Sequence, residues 1–102
     1  MGLPAITKAD REWFERITEL GCIVGRLYEQ NCWGELQRHH CKSGGRRISH
    51  QHSICLCLGH HQSGVRKPEI VSRHPWGREF VARYGSEDYL LGKTREMLGV
   101  TA

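Results

Sequence analysis

Histidine and cysteine crowd the middle of this chain. Six of the seven histidines and three of the five cysteines fall within residues 39–61 of the 102. The densest stretch is Cys55-Leu56-Cys57-Leu58-Gly59-His60-His61, and the doublet His39-His40 precedes it. Thiolate sulfur and imidazole nitrogen are ligands that zinc prefers. Adjacent histidines also allow one ring to hold a metal while its neighbour handles a proton. The cysteine count is odd and the cysteines mix with histidines. That argues for metal or free thiols in a reducing compartment, rather than a disulfide framework.

The surrounding pattern supplies elements to carry these residues. Thr7-Lys8-Ala9-Asp10 has the form of a capping box, and Trp13, Ile17 and Leu20 recur at helical spacing with Phe14 beside them. A helix with a core-facing stripe should run to Gly21. Residues 22–34, with Cys22, Cys32 and Trp33, read as a loop or short irregular strand. Residues 36–41 read as a strand ending in the doublet. Residues 42–47 form a turn with basic flanks, where glycine permits positive φ. Residues 48–56 return as a second strand, and a helix carrying His60 and His61 starts near Cys57 or Leu58, to be ended by Gly64. Residues 65–75 read as a linker interrupted by Pro68 and Pro75. A short helix over 76–84 presents Phe80 and Tyr84 on one side. Ser86 is a good N-cap for a last helix whose Leu90, Leu91, Thr94 and Leu98 run to Gly99. The fold class is α+β, with a hairpin followed by a helix at its centre.

Length bounds the chain to one domain, residues 1–102, with 1–6 as a loose arm. Hydrophobic residues make up 38% and glycines number 12, so the core is modest. A structural metal would add folding free energy. The net charge of +4 and pI of about 9.0 favour nucleic acid as a partner. No apolar run reaches the roughly 20 residues that cross a bilayer, and the N-terminus lacks the pattern of a secretion signal. The expected compartment is the cytoplasm.

A strand–loop–strand–helix order with an early histidine pair and a late Cys-x-x-His-His resembles the HNH, or ββα-metal, nuclease superfamily. Within it the chain most resembles the phage-encoded recombination enhancement nucleases, whose activity depends on the host RecA filament. The resemblance runs from Gly21-Cys22-Ile23 through His39-His40, Gly45-Arg46-Arg47 and Ser49-His50 to Leu56-Cys57-Leu58-Gly59-His60-His61. A weaker echo continues through Phe80-Val81-Ala82-Arg83-Tyr84-Gly85 and Leu90-Leu91. About two thirds of the chain is covered, with residues 36–63 as the ββα-metal core.

The resemblance implies two sites. Cys57 and His60 help grip a structural Zn²⁺, and His61 faces the active site. Related chains usually supply the remaining structural ligands from Cys-x-x-Cys, but this chain has Cys22-Ile23-Val24-Gly25. Cys32 is the nearest replacement, with Cys41 and Cys55 as alternatives. In the superfamily the first histidine of the doublet binds the catalytic metal and the second is the general base. Carried here, His39 and His61 hold a divalent ion and His40 activates water. Imidazole ligands leave that ion open between Mg²⁺, Mn²⁺ and Zn²⁺. His50 and His52 share a face if the strand is regular. His52 is then expected to orient His40 as part of the catalytic machinery, with His50 as a substrate or metal contact. His74 is a further candidate for substrate or the metal shell. Trp76 is expected to pack in the core.

Arg38, Lys42, Arg46 and Arg47 surround the hairpin, and Arg66 and Lys67 follow the active helix. Such residues engage phosphate without reading bases. The implied function is a metal-dependent DNA endonuclease of recombination or DNA processing, with DNA and a RecA filament as partners. Two other readings use the same residues: a non-catalytic zinc-containing DNA-binding module, and a zinc-containing protein-interaction module. A spare histidine doublet tells against both, since a structural site does not need one.

Overall fold

The computed structural model describes residues 3–28, 32–43, 46–47 and 49–100. In chain order its elements are α1 (Lys8–Leu20), α2 (Ile23–Tyr28), β1 (Leu36–His40), β2 (Lys42–Ser43), β3 (Arg46–Arg47), β4 (Ser53–Cys57), α3 (Leu58–His61), β5 (Arg66–Lys67), β6 (Ile70–Val71), α4 (Gly77–Tyr84) and α5 (Glu87–Met97). The strands form three two-stranded antiparallel sheets, β1–β4, β2–β3 and β5–β6. The chain is α+β. No described helix is long and apolar enough to cross a membrane.

The capping box at Thr7 is made in both directions. The Thr7 hydroxyl accepts from the Asp10 N–H at 3.1 Å, and the Asp10 carboxylate accepts from the Thr7 N–H at 2.9 Å. Gly21 ends α1 at φ 89°, a conformation glycine adopts without steric cost. Trp13, Phe14 and Ile17 are buried. The Trp13 indole N–H reaches the Ser53 hydroxyl at 3.1 Å and the Ser53 carbonyl at 3.2 Å, which pins α1 to the start of β4.

β1 and β4 pair with Leu36 opposite Cys57 and His40 opposite Ser53. Every residue of β4 is buried, whereas only His39 of β1 is. The β4 strand therefore runs through the centre of the core, among Ile17, Ile23, Phe80, Leu90 and Leu91. α3 follows β4 without a loop. The segment 33–35 crosses the start of α3, where the Trp33 and Glu35 carbonyls accept from Gly59 and Leu58 N–H. Serine at 86 caps α5, its hydroxyl accepting from the Tyr89 N–H at 3.1 Å.

Four expectations are corrected. Residues 23–28 form a helix rather than a loop, because Ile23, Val24 and Leu27 share one apolar side that packs against the core. The second strand starts at Ser53 rather than 48. His50 and Gln51 form a turn closed by the His52 N–H on the Ser49 carbonyl at 3.2 Å. Gly44, Gly45 and Ile48 lie outside the described residues. Residues 65–75 are not an open linker. Ile70, Val71 and Ser72 are buried, and the Ser72 N–H donates to the Val65 carbonyl at 2.9 Å. Trp76 lies on the surface, 37% exposed, with its indole N–H donating to the Gly64 carbonyl at 2.9 Å.

Trp13→Phe removes an indole donor and leaves Ser53 short of a partner in the core. The expected cost is about 1–2 kcal/mol, read from urea unfolding of the metal-loaded protein, with metal content unchanged.

Candidate metal centres and the histidine doublet

Cys57 ends β4 and begins α3. Its sulfur accepts from the His60 N–H at 3.4 Å, so the ligand type that suits zinc also caps the helix. One turn on, His60 turns Nδ1 toward three sulfurs: Cys57 at 3.1 Å, and Cys22 and Cys32 at 3.7 Å each. The four ligand atoms lie within 4.8 Å of one another. Three thiols and one imidazole match a closed tetrahedral Cys₃His centre, and the group could hold a metal such as zinc.

The electrostatics point the same way. Cys22 donates toward Cys57, which raises the Cys22 thiol and lowers that of Cys57. Burial raises Cys22 further and opposes the lowering at Cys57, while His60 also favours the Cys57 thiolate. Burial, then the charge of Cys57, raises Cys32. A cation bound among these sulfurs would displace the protons they share. The buried Nε2 of His60 has no hydrogen-bond partner among the described residues, and the Tyr84 ring stands edge-on at 5.4 Å.

Gly25 explains how Cys32 enters. A Cβ on Gly25 would lie 2.5 Å from the Cys32 sulfur. Cys32 thus fills the space that a side chain at position 25 would use. Cys41 and Cys55 stay outside the cluster, and burial pushes their thiols up to about 12 and about 11.

A second cluster gathers His39, His61 and His74, whose ring nitrogens also lie within 4.8 Å of one another and could hold a metal ion. His39 Nδ1 is 3.2 Å from His61 Nε2. His74 joins them because its segment is tied to α3: the Arg73 and His74 N–H groups donate to the His60 and His61 carbonyls at 2.7 and 2.8 Å. Burial, then the charges of His39, His74 and Arg73, holds His61 down at about 4. Burial, then His39 and Arg73, lowers His74 as well. Neutral imidazoles are the ligating form, and three of them suit a divalent transition ion.

Glu87 and Arg73 complete this corner, and neither stood out in the sequence as a partner of His39. Glu87 Oε1 accepts from His39 Nε2 at 2.6 Å and from Arg73 at 3.1 Å, and Oε2 accepts from the Lys42 N–H at 2.8 Å. Burial pushes the Glu87 carboxyl up, but these bonds and the nearby charges outweigh it and hold it at about 2. A glutamate in the first turn of a helix is ordinary, so no local signal marks it.

His40 points to the other face of β1, as strand alternation requires. There it packs edge-on to Phe14 and places Nε2 at 3.2 Å from His50 Nδ1. His50 Nε2 in turn donates to the Pro4 carbonyl at 2.7 Å, which ties down the expected loose arm. His50, expected as a substrate or metal contact, thus touches His40. The reason is the turn at 50–51, which breaks the alternation assumed for a strand. His52 lies 3.7 Å from Asp88, and its Nε2 lacks a hydrogen-bond partner among the described residues.

Of the expected phosphate contacts, Arg38, Lys42, Arg66 and Lys67 are exposed. Arg38 lies over the Phe14 ring at 4.1 Å, on the His40 face. Arg66 is engaged by Glu79 at 2.7 Å and stacks near Trp76. Arg46 and Arg47 form β3, and their side chains lie outside the described part.

A hairpin leads directly into a helix, and one thiol-rich and one histidine-rich cluster beside it could each hold a metal ion. The family model described as "Recombination enhancement, RecA-dependent nuclease" matches residues 6–99, and the chain belongs to that family. Comparison with individual curated proteins gave no significant match.

Cys32→Ser is expected to lower zinc content and melting temperature together. Cys32→Ala should do the same, and Gly25→Cys added to Cys32→Ala should restore both, because the new side chain enters the space that the Cys32 sulfur has left. Elemental analysis and thermal unfolding of these proteins make the comparison.

Proposed function

We propose that the chain is a metal-dependent DNA endonuclease of the HNH type, acting in recombination beside a RecA filament. The observation that carries this reading is the division of β1. His39 contributes to a three-histidine cluster on one face, and His40 stands on the other. Family membership supports nuclease chemistry and DNA as substrate.

His39, His61 and His74 would hold the catalytic ion, Mg²⁺, Mn²⁺ or Zn²⁺, and the Cys₃His cluster a structural Zn²⁺. When bound, a divalent ion at the histidines supplies charge stabilisation for the scissile phosphate and its leaving 3′ oxygen. His40 acts as general base toward water. The Pro4 carbonyl only accepts, so His50 carries its proton on Nε2 and accepts at Nδ1. His40 then donates from Nε2 to a neutral His50, which holds the ring in place for its role as base. The base and the ion site on opposite faces of one strand suit in-line displacement, where nucleophile and leaving group lie on opposite sides of phosphorus. His50 is the positioning residue for His40, in place of His52.

Arg38 and Lys42 flank this strand and, with Arg46, Arg47, Arg66 and Lys67, give a phosphate-binding surface without base readout. Replacing Arg46 and Arg47 together should weaken binding to unrelated duplexes alike and flatten the salt dependence by about one to two counterions.

The test of the central reading is single-turnover cleavage of labelled duplex and single-stranded DNA, with Mg²⁺ or Mn²⁺, with and without a RecA filament. His40→Ala is expected to keep the fold and metal content and to lose cleavage by at least about a hundredfold. Wild-type cleavage by His40→Ala rules out His40 as base. Metal-loaded wild-type protein that binds DNA and never cleaves it, with RecA present, favours a DNA-binding module.

A further inference from the structure

Neighbouring side chains set where the protons lie on His39 and His61. Glu35 Oε1 lies 2.9 Å from Gln37 Nε2. An ionised carboxylate only accepts, so the Gln37 amide nitrogen must face Glu35 and its oxygen must face the other way. That oxygen lies 2.7 Å from His61 Nδ1. An amide oxygen also only accepts, so His61 carries its proton on Nδ1. A neutral imidazole has one such proton, which leaves a lone pair on His61 Nε2.

His39 is fixed from the opposite side. Both oxygens of Glu87 are already acceptors, Oε1 for Arg73 and His39 and Oε2 for the Lys42 N–H. His39 therefore carries a proton on Nε2, and in its neutral, ligating form the lone pair lies on Nδ1. His39 Nδ1 and His61 Nε2 then face each other across 3.2 Å with no proton allotted to either. When both rings are neutral, two lone pairs at that distance repel, and a divalent ion between them accepts both.

We propose that Gln37 and Glu87 are positioning residues for the divalent ion of the histidine centre, with Glu35 setting the orientation of the Gln37 amide. The inference rests on the reading of His39 and His61 as metal ligands. Gln37 holds His61 as the Nδ1–H tautomer, and Glu87 holds His39 as the Nε2–H tautomer. Both ligand lone pairs are thus directed at one point before an ion arrives. Gln37 and His39 reach this corner from the same face of β1, being two residues apart on a strand. The two relays therefore share one rigid element.

The experiment uses full-length protein whose cysteine centre is already loaded with zinc. Co²⁺ titration followed by visible absorption reads affinity at the histidine centre, and long-range ¹H–¹⁵N correlation of the imidazoles reads their tautomers before Co²⁺ is added. Gln37→Leu is expected to weaken Co²⁺ binding by about 10- to 100-fold and to shift His61 away from the pure Nδ1–H form. Gln37→Glu combined with Glu35→Gln restores an acceptor for His61 and a donor to hold it, and should recover both readouts, which a merely structural role would not require. Glu87→Gln should weaken Co²⁺ binding and loosen the tautomer of His39 while leaving that of His61 intact. If wild-type protein binds Co²⁺ and Gln37→Leu matches it in affinity and tautomer, the positioning role is overturned. If zinc-loaded wild-type protein takes no second ion, the metal reading of the histidine centre falls, and this proposal with it.

Discussion

The junction at Cys57 fixes the direction of everything around it. β4 is buried along its whole length and runs into α3 without a loop, so the first helical turn cannot drift. The Cys57 sulfur accepts the His60 N–H and sets that turn. His60 then faces the cysteines, and His61, the next residue, faces His39 and His74. One four-residue helix therefore feeds two ligand clusters. Such a helix is too short to persist by itself. It exists because β4 anchors one end, and because the carbonyls of residues 33 and 35 accept N–H groups from its first turn. A metal on Cys57 and His60 would hold the same turn from a third side.

β1 imposes the complementary constraint. Its alternation separates the doublet, so His39 is buried beside Glu87 while His40 shares its face with Arg38 and Phe14. Adjacent residues thus enter different environments without any special backbone geometry. The two faces are completed by distant parts of the chain. The arm residue Pro4 reaches the His40 side through His50, and the segment 72–74 with the start of α5 closes the His39 side. The core in between is small, and its cysteines and histidines sit where a larger protein would place only hydrocarbon.

Local chemistry was legible in the sequence. Thr7 and Asp10 are three residues apart and make their capping box; Cys57 and His60 are three apart and meet across one helical turn. Phe80 and Tyr84 share the buried side of α4, as their spacing required. The elements that were misread are short. α2 has only six residues and each strand of the β5–β6 hairpin has two, too few for a period to show. His50 and His52 were assigned by strand alternation, and the turn at 50–51 removed the premise. The contact of Glu87 with His39 spans 48 residues, and no spacing rule connects such positions. The sequence offered Cys32 as a candidate fourth ligand, and it lies in the cluster that could hold a metal, but its route there, through the space left by Gly25, depends on where α2 packs.

Anomalous diffraction from crystals of protein carrying one equivalent of zinc, soaked in Mn²⁺, tests the two-centre account most directly. Data collected at the zinc and manganese edges separate the ions. The account predicts a zinc peak among Cys22, Cys32, Cys57 and His60, and a manganese peak bounded by His39, His61 and His74. A manganese peak beside His40 and His50, or a histidine centre bare of ions in crystals whose cysteine centre is full, would contradict it.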